Sequence, residues 1–225
     1  MIDTDILLAW GATYKQLATG EHLFKEGQEC NFYHQVESGQ FRWVNIDEEG
    51  KEYLQRLVEP GESIGELPLF DGGKFAATAI ANKESLVLRL HKPVFYQLLK
   101  SQPEIHFAFS KLLTERLRFK FFMLKEMGNH DPEKMIMSLL NYLQQTSDHI
   151  CASCNKIKLT RKQISEMTSL RVETVIRVMR RLQDKEMLQI KKGKVYFGES
   201  KGCGENCCEG KSNIQTSVSF LHVSG

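Results

Sequence analysis

The sequence contains no apolar run that approaches the roughly 18 residues of a membrane-spanning helix. Its N-terminus lacks the basic segment and the apolar core of a secretory signal peptide. The motifs of common enzyme classes are also missing: there is no nucleophile elbow, Walker loop, paired-carboxylate spacing or zinc-hydrolase motif. We therefore expect a cytoplasmic protein that is not an enzyme and has no membrane partner.

A large net charge is missing as well, because 30 basic and 28 acidic side chains leave only +2 over 225 residues. This balance hides an asymmetry along the chain. Residues 1–100 carry 15 acidic and 10 basic side chains, whereas residues 156–194 carry 4 acidic and 12 basic ones. The local charge of +8 predicts a polyanionic partner for the C-terminal part of the chain alone.

Residues 21–92 show the alternation of apolar and polar side chains that is typical of β-strands. Glycines interrupt this alternation at short intervals, for example at Gly27, Gly39 and Gly65. Several short strands separated by glycine corners predict an antiparallel β jelly roll or barrel. We assign residues 1–102 to this domain and expect residues 1–19 to form short helical turns. Together with the helical patterns that follow, this predicts an α+β protein of two domains.

A long helix is predicted next, because Pro103 suits the first turn of a helix and no breaker occurs before Gly128. Its apolar residues follow the alternating four- and three-residue rhythm of a coiled-coil seam at Leu113, Leu117, Leu124 and Met127, with Lys120 in the one intervening position that is not apolar. We expect residues 103–130 to form a dimerisation helix and a hinge. A central helix in a monomeric core is the alternative.

The stretch from Leu159 to Asp184 predicts two short helices joined by a tight turn. Thr160 and Gln163 form the pattern of a capping box at the start of the first helix. The second helix has an apolar back and a cationic front, a combination that suits the major groove of DNA. A β-hairpin around Lys192 and Gly193 would complete a winged helix over residues 131–198. The alternative is an ordinary amphipathic helical hairpin with a solvated basic face.

Three segments of the chain resemble the Crp/Fnr family of bacterial transcription regulators: Gly61–Phe70, Pro103–Asp131 and Val172–Arg177. The resemblance covers about residues 10–198. It implies an effector-sensing β-barrel, a dimerisation helix and a winged helix-turn-helix that binds palindromic double-stranded DNA as a homodimer. RNA polymerase is then a candidate partner. The alternative is a cyclic-nucleotide or small-molecule-binding signalling module that acts on a non-DNA partner.

The same resemblance assigns the reading of bases to Glu173 and Arg177. An arginine can donate to guanine O6 and N7, and a glutamate can accept from the cytosine amino group. Val172 and Ile176 occupy neighbouring base-reading positions that are polar in some members. The identity of the outer bases of the half-site is therefore not predicted. Six further residues are expected to contact the DNA phosphates: Arg161, Lys162, Arg171, Thr174, Lys192 and Lys194.

The sensor departs from the cyclic-nucleotide members of this family. Those members hold the cyclic phosphate with an arginine followed by a small hydroxyl residue, but the corresponding positions here are Phe75 and Ala76. A buried phosphate without a guanidinium partner would be poorly compensated, so we expect cyclic AMP to bind weakly or not at all. The family's effector pocket corresponds to Gly65, Glu66, Leu67, Phe75, Ala76, Ala77, Lys120 and Phe121.

Aromatic residues suggest two interpretations of this region. Phe75, Phe119, Phe121 and Phe122 predict either an aromatic-lined pocket for an unidentified small-molecule effector or a simple filling of the space that a nucleotide would occupy. The sequence leaves both open.

Six cysteines lie in a chain expected to be cytoplasmic, where thiols or metal ligands are commoner than disulfides. Pairing of a strand at residues 156–159 with the last strand of the wing would bring two cysteine groups together. A zinc ion or an iron–sulfur cluster could then bind to Cys151, Cys154, Cys203 and Cys207, which would imply a metal- or redox-sensing regulator. Free thiols are the alternative. Residues 199–225 have the composition of a disordered tail.

Overall fold

The computed structural model of the chain describes residues 1–128, 130–146 and 149–198. The N-terminal domain contains α1 (Thr4–Ala9), β1 (Thr13–Leu17), β2 (His22–Phe24), β3 (Phe32–Ser38), β4 (Phe41–Ile46), β5 (Glu52–Val58), α2 (Leu67–Asp71), β6 (Thr78–Ala81), β7 (Ser85–His91) and α3 (Lys92–Ser101). The long helix is α4 (Pro103–Gly128), and the C-terminal domain contains α5 (Pro132–Thr146), α6 (Arg161–Thr168), α7 (Val172–Asp184), β8 (Leu188–Lys191) and β9 (Lys194–Phe197).

The strands β1–β7 form two antiparallel sheets, with the orders β1-β7-β3 and β2-β6-β4-β5. Their inner faces enclose an apolar core that includes Val36, Phe41 and Val87. The predicted antiparallel jelly roll or barrel is thereby confirmed. The prediction of helical turns throughout residues 1–19 is wrong in its second half, because Thr13–Leu17 pairs with β7 as an edge strand.

The hairpin between β4 and β5 is fixed by one carboxylate. Oδ1 of Asp47 accepts hydrogen bonds from the backbone N–H groups of Glu49 at 3.1 Å and Lys51 at 2.8 Å, and its Oδ2 accepts the Tyr53 hydroxyl at 3.0 Å. Gly50 has a φ of +79°, a left-handed conformation that favours glycine. These bonds, led by that from Lys51, lower the pKa of Asp47 below its ordinary value.

The long helix α4 carries both buried and exposed apolar side chains. Near its start, Phe109 is fully buried and packs edge-on against Tyr33 and Phe95 of the barrel domain, with ring centroids 5.8 and 5.5 Å apart. Elsewhere along α4, large apolar residues are exposed: Phe107, Leu117, Phe121, Leu124 and Met127. Because Leu117, Phe121 and Leu124 recur at coiled-coil spacing, α4 presents an apolar seam that no other described residue of the chain covers.

The C-terminal domain is a winged helix. Asp131 caps α5, with its Oδ1 accepting the N–H groups of Glu133 at 3.0 Å and Lys134 at 3.2 Å. The predicted strand at residues 156–159 is reduced to isolated antiparallel bridges, one of which joins Lys156 to Tyr196 of β9. The segment therefore lies beside the last strand of the wing, as predicted, but it does not form a regular strand itself.

One apolar cluster joins the two domains. It runs from Val44, Leu54 and Ile80 on the sheet β2-β6-β4-β5 to Ile164 in α6 and Val175 in α7. The winged helix therefore packs against the barrel of its own chain.

Candidate nucleic-acid interface and effector region

The helix α7 separates apolar and cationic residues onto opposite faces. Its buried side comprises Val175, Val178, Met179 and Leu182, which follow the period of an α-helix. The outward side exposes Arg171, Glu173, Arg177 and Arg180, while Val172, Thr174 and Ile176 are half-buried. The predicted base-reading residues Glu173 and Arg177 therefore project from one accessible surface.

Local hydrogen bonds fix the turn that orients α7. The capping box of α6 is present: Thr160 Oγ1 accepts the N–H of Gln163 at 3.1 Å, and Gln163 Oε1 accepts the N–H of Thr160 at 2.8 Å. The Ser165 hydroxyl donates to the carbonyl of Leu170 at 2.6 Å. Ser169 ends α6 in a left-handed conformation, with a φ of +57°. The two helices are thus held at a defined angle.

The predicted phosphate contacts surround α7. Arg161 donates to the carbonyl of Gly193 at 3.2 Å and so ties α6 to the wing. Lys162 is exposed and lies 3.5 Å from Glu166, one helical turn along α6. Lys192 and Lys194 are exposed at the turn of the wing. A contact missed by the sequence analysis is the ion pair of Lys185 with Glu133, which joins the end of α7 to α5.

In the barrel, two stacked phenylalanines cover Gly65. The rings of Phe24 and Phe75 are parallel within 7°, with centroids 3.7 Å apart. A Cβ atom at Gly65 would lie 2.4 Å from Cζ of Phe24, so only glycine fits beneath the pair. Phe75, which the resemblance aligns with the arginine of the cyclic-nucleotide members, is buried here. The sequence analysis missed Phe24, which lies 51 residues away along the chain.

Glu66 is fully buried and forms an ion pair with Arg116 of α4. Arg116 also donates from Nη2 to the carbonyl of Ser63 at 3.1 Å. Burial, followed by the nearby Arg56, lowers the pKa of Arg116 to about 9, which still leaves the guanidinium charged at neutral pH. The carboxylate of Glu66, which the resemblance places in the effector pocket, is therefore already held by a cation of its own chain. Sequence reasoning did not identify Arg116, because nothing local links it to Glu66.

The structure does not bring the eight predicted effector residues together within one chain. Phe75 and Ala77 lie in the barrel core, whereas Phe121 is 64% exposed on the seam of α4. Lys120 forms a hydrogen bond with Gln55 of β5. The aromatic residues are dispersed as well, because Phe119 and Phe122 pack against Tyr142 of α5, with centroids 5.1 and 4.8 Å away. The four phenylalanines therefore do not line one pocket of a single chain.

Cys151 and Cys154 are both buried in a turn that precedes Lys156. The N–H of Asn155 closes the turn on the carbonyl of Cys151 at 2.7 Å, and the carbonyl of Asn155 accepts the N–H of Phe197 at 2.8 Å. Cys203 and Cys207 lie outside the described residues. Within the described ranges, no group of three potential metal ligands occurs. The predicted metal site stays a prediction.

Two family models match the chain. The cyclic nucleotide-binding domain matches residues 14–102, and the Crp-like helix-turn-helix domain matches residues 133–197. Among the described residues, no helix has the length and apolar character needed to cross a bilayer.

Curated relatives share this organisation at low identity. The chain is 25% identical over 190 residues to the cAMP-activated global transcriptional regulator CRP of Salmonella typhimurium, covering 82% of this chain and 90% of that protein. It is 24% identical over 179 residues to the fumarate and nitrate reduction regulatory protein of Vibrio cholerae, covering 79% and 71%.

Solved structures show the same fold. The c-di-GMP responsive global regulator CLP of Xanthomonas campestris superposes with a TM-score of 0.70 at 17% identity, covering 88% of this chain and 99% of that one. A CooA mutant from Carboxydothermus hydrogenoformans gives a TM-score of 0.71 at 15% identity, covering 88% of each chain.

Proposed function

The chain belongs to the Crp/Fnr family of DNA-binding transcription regulators, and we propose that it binds a palindromic operator as a homodimer through α7. The observation that carries this proposal is the exposed row of Arg171, Glu173 and Arg177 on a helix whose other side is buried. We further propose that it acts in the cytoplasm, where RNA polymerase is a candidate partner.

Base recognition is assigned to two side chains of α7. Arg177 can donate two parallel hydrogen bonds to O6 and N7 of one guanine, and Glu173 can accept from the amino group of a cytosine. Both side chains are exposed, so neither has to break a buried contact before it reaches a base. Val172 and Ile176 are half-buried and contribute apolar contacts at the edges of the half-site.

Phosphate binding is assigned to residues on either side of α7. Lys162 and Arg171 lie near the start of α7, while Lys192 and Lys194 extend from the wing. Arg161 keeps further N–H donors beside the one that it gives to Gly193, and Thr174 can donate its hydroxyl. Such contacts fix the register of the protein on DNA without reading its sequence.

Regulators of this family bind DNA as homodimers. The exposed seam of α4 supplies the surface for this assembly: Leu117, Phe121 and Leu124 follow the four- and three-residue spacing of a coiled coil. Pairing of two such helices would bury apolar side chains that are otherwise in water. It would also set two copies of α7 at the spacing of a palindrome.

We propose that the barrel does not bind cyclic AMP. Phe24 and Phe75 stack over Gly65, and Glu66 is paired with Arg116, so that neither the phosphate nor the ribose of a nucleotide finds a free partner. The effector, if any, belongs to a different chemical class from the cyclic nucleotides. The thiols of Cys151 and Cys154 remain candidates for a metal or cluster, and metal analysis of anaerobically purified protein tests them.

The test of this function is selection of bound duplexes from random DNA, followed by affinity measurements on the selected site. We expect a palindrome whose binding weakens steeply with salt. Arg177→Ala should lose the preference at one base pair of each half-site. Binding that shows no salt dependence and no sequence preference would contradict the proposal.

A further inference from the structure

The turn that carries Cys151 and Cys154 is the closed end of a short hairpin. Ile150 and Ile157, which flank it, pair as an antiparallel bridge. The N–H of Asn155 donates to the carbonyl of Cys151 at 2.7 Å. Asn155 adopts a left-handed conformation, with a φ of +58°, which asparagine tolerates better than most residues. The backbone between the two cysteines is therefore held in one conformation by the hairpin.

Both cysteine side chains lie on the inner side of this turn. Cys151 is 9% exposed and Cys154 is fully buried, whereas Ala152 and Ser153 between them are exposed. Two thiols with two intervening residues have the spacing at which paired cysteines bind a single zinc ion. The turn therefore has the form of one half of a four-ligand metal site.

The burial of these two thiols differs from that of Cys30. Cys30 belongs to the apolar core of the barrel and donates its thiol to the carbonyl of Phe32 at 3.3 Å, so that it acts as a small core residue. Cys151 and Cys154 belong to neither of the two apolar clusters that the described residues form, although the adjacent Ile150 does. Packing of an apolar core therefore does not account for a pair of cysteines in this turn.

The last strand of the wing leads the chain to the same turn. At the end of β9, the N–H of Phe197 donates to the carbonyl of Asn155 at 2.8 Å, one residue after Cys154. Cys203 follows Gly198 by five residues, a length that spans at most roughly 18 Å. The first thiol beyond the wing is therefore within reach of the turn.

A second pair of thiols follows at a similar spacing. Cys203 and Cys207 are separated by three residues, within the about two to four that separate paired zinc ligands in many sites. Glycines flank Cys203 on both sides, at positions 202 and 204, and glycine allows the backbone to approach a ligand closely. The two pairs together supply four thiolates, which is a donor set of structural zinc sites.

We propose that Cys151, Cys154, Cys203 and Cys207 bind one Zn²⁺ ion in a tetrahedral site that fastens the end of β9 to the turn before α6. Four thiolates leave no open coordination position, so the ion is structural and does not activate a water molecule. Zinc thereby stabilises the wing against the rest of the winged helix. The proposal does not depend on recognition of DNA, and a failure of the chain to bind any duplex would leave it standing.

Metal analysis of the full chain, purified anaerobically, tests the site directly. We expect about one zinc per chain. Cys151→Ser/Cys154→Ser and Cys203→Ser/Cys207→Ser should each bind zinc roughly tenfold or more weakly, measured by competition with a chromophoric chelator. Cys30→Ala is the matched control, because it removes a buried thiol from the barrel and should keep the zinc affinity. The proposal would be overturned by unchanged affinity in either double variant, by a chain that binds no zinc even after its addition, or by iron and inorganic sulfide in place of zinc.

Alkylation of the unmodified chain keeps the test independent of whether the variants fold. With zinc bound, the four thiols should react slowly with iodoacetamide, and removal of the metal by a strong chelator should accelerate all four by roughly tenfold or more. Cys30 should react slowly in both conditions, because its burial in the barrel does not depend on metal. Mass spectrometry follows each cysteine. Rates at Cys203 and Cys207 that do not respond to the chelator would show that these thiols do not bind the ion, which would contradict the proposal.

Discussion

The recognition helix and the barrel both present arginine and glutamate side chains at their candidate sites, but they hold them in opposite ways. On α7, Glu173 and Arg177 are exposed. In the barrel, Glu66 is fully buried and paired with Arg116. Exposed charges can exchange water for the edges of bases, whereas a buried pair has already satisfied itself inside the protein. The charged side chains of α7 therefore remain available to a ligand, whereas the Glu66–Arg116 pair stabilises the fold of the sensor domain.

The stacked pair of Phe24 and Phe75 extends this contrast. In the winged helix, the apolar side chains of α7 lie on its buried face and leave its exposed face polar. In the barrel, the aromatic pair lies over Gly65 itself, within the segment Gly61–Phe70 that resembles the family. Aromatic side chains therefore fill this segment of the barrel, whereas the charged front of α7 is exposed.

Breaking the buried pair should have the largest effect. Arg116→Met keeps much of the apolar volume but leaves Glu66 buried without its cation, and loss of one partner from a buried pair costs about 3–5 kcal/mol. We expect this loss in the free energy of unfolding, measured with urea. Adding Glu66→Gln should recover a large part of it. A loss below about 1 kcal/mol would mean that the pair is not structural.

Arg177→Ala tests whether the exposed charges of α7 recognise DNA bases. Loss of a bidentate contact with guanine should weaken operator binding by about 1–3 kcal/mol and should relax the preference at one base pair. Unfolding should be nearly unchanged, because Arg177 is exposed. Arg180→Ala, on the same helix, is the control and should affect sequence preference less. A large loss of stability in Arg177→Ala would undermine the contrast.

Acidification should act on the barrel through His34. Burial lowers the pKa of His34 to about 3, whereas the unfolded chain titrates near 6.5. Below pH 6.5 the unfolded state gains a proton that the folded state does not take up, so this group's contribution to stability is lost as the pH falls from about 6.5 towards 3. The loss should reach about 2 kcal/mol at pH 5.

The pH effect is measured as the difference between the protein and His34→Leu in urea unfolding at pH 7 and pH 5. The stability of His34→Leu should fall less between these two values. His106→Gln, at an exposed histidine, should behave like the unmodified chain. Equal pH dependence in all three proteins would place the acid sensitivity elsewhere.

The smallest effect is expected at the wing. Lys192→Ala removes one exposed phosphate contact, so the affinity for every duplex should fall by less than about tenfold and without a change in preference. The plot of log affinity against log salt should flatten by about one unit for each subunit. A change in sequence preference would mean that the wing reads bases.

Local patterns in the sequence were sufficient to predict the helix-turn-helix. Thr160 and Gln163 lie three residues apart, and the apolar residues of α7 recur at helical spacing, so neither depends on distant parts of the chain. The edge strand β1 was missed because only Leu17 of its five residues is buried, which leaves no alternation to detect. The apolar core of the barrel could also be predicted locally, because apolar and polar side chains alternate in the segments between glycines.

The candidate site in the barrel could be predicted only in part. The substitution of Phe75 for the expected arginine was visible in the sequence, as was the presence of Glu66. Their actual partners, Phe24 and Arg116, lie about 50 residues away along the chain and meet them only through the fold. Contacts of this range depend on how α4 and β2 approach Glu66 and Phe75, which local periodicity does not encode.

The most direct test of the contrast between the two ends is the affinity of the full chain for its selected operator, measured over a range of salt concentrations with and without cyclic AMP. We expect a steep salt dependence, with a log–log slope of roughly −4 or steeper, and identical curves in both conditions. A tenfold or greater tightening by cyclic AMP would contradict it, because the barrel would then hold a working nucleotide site.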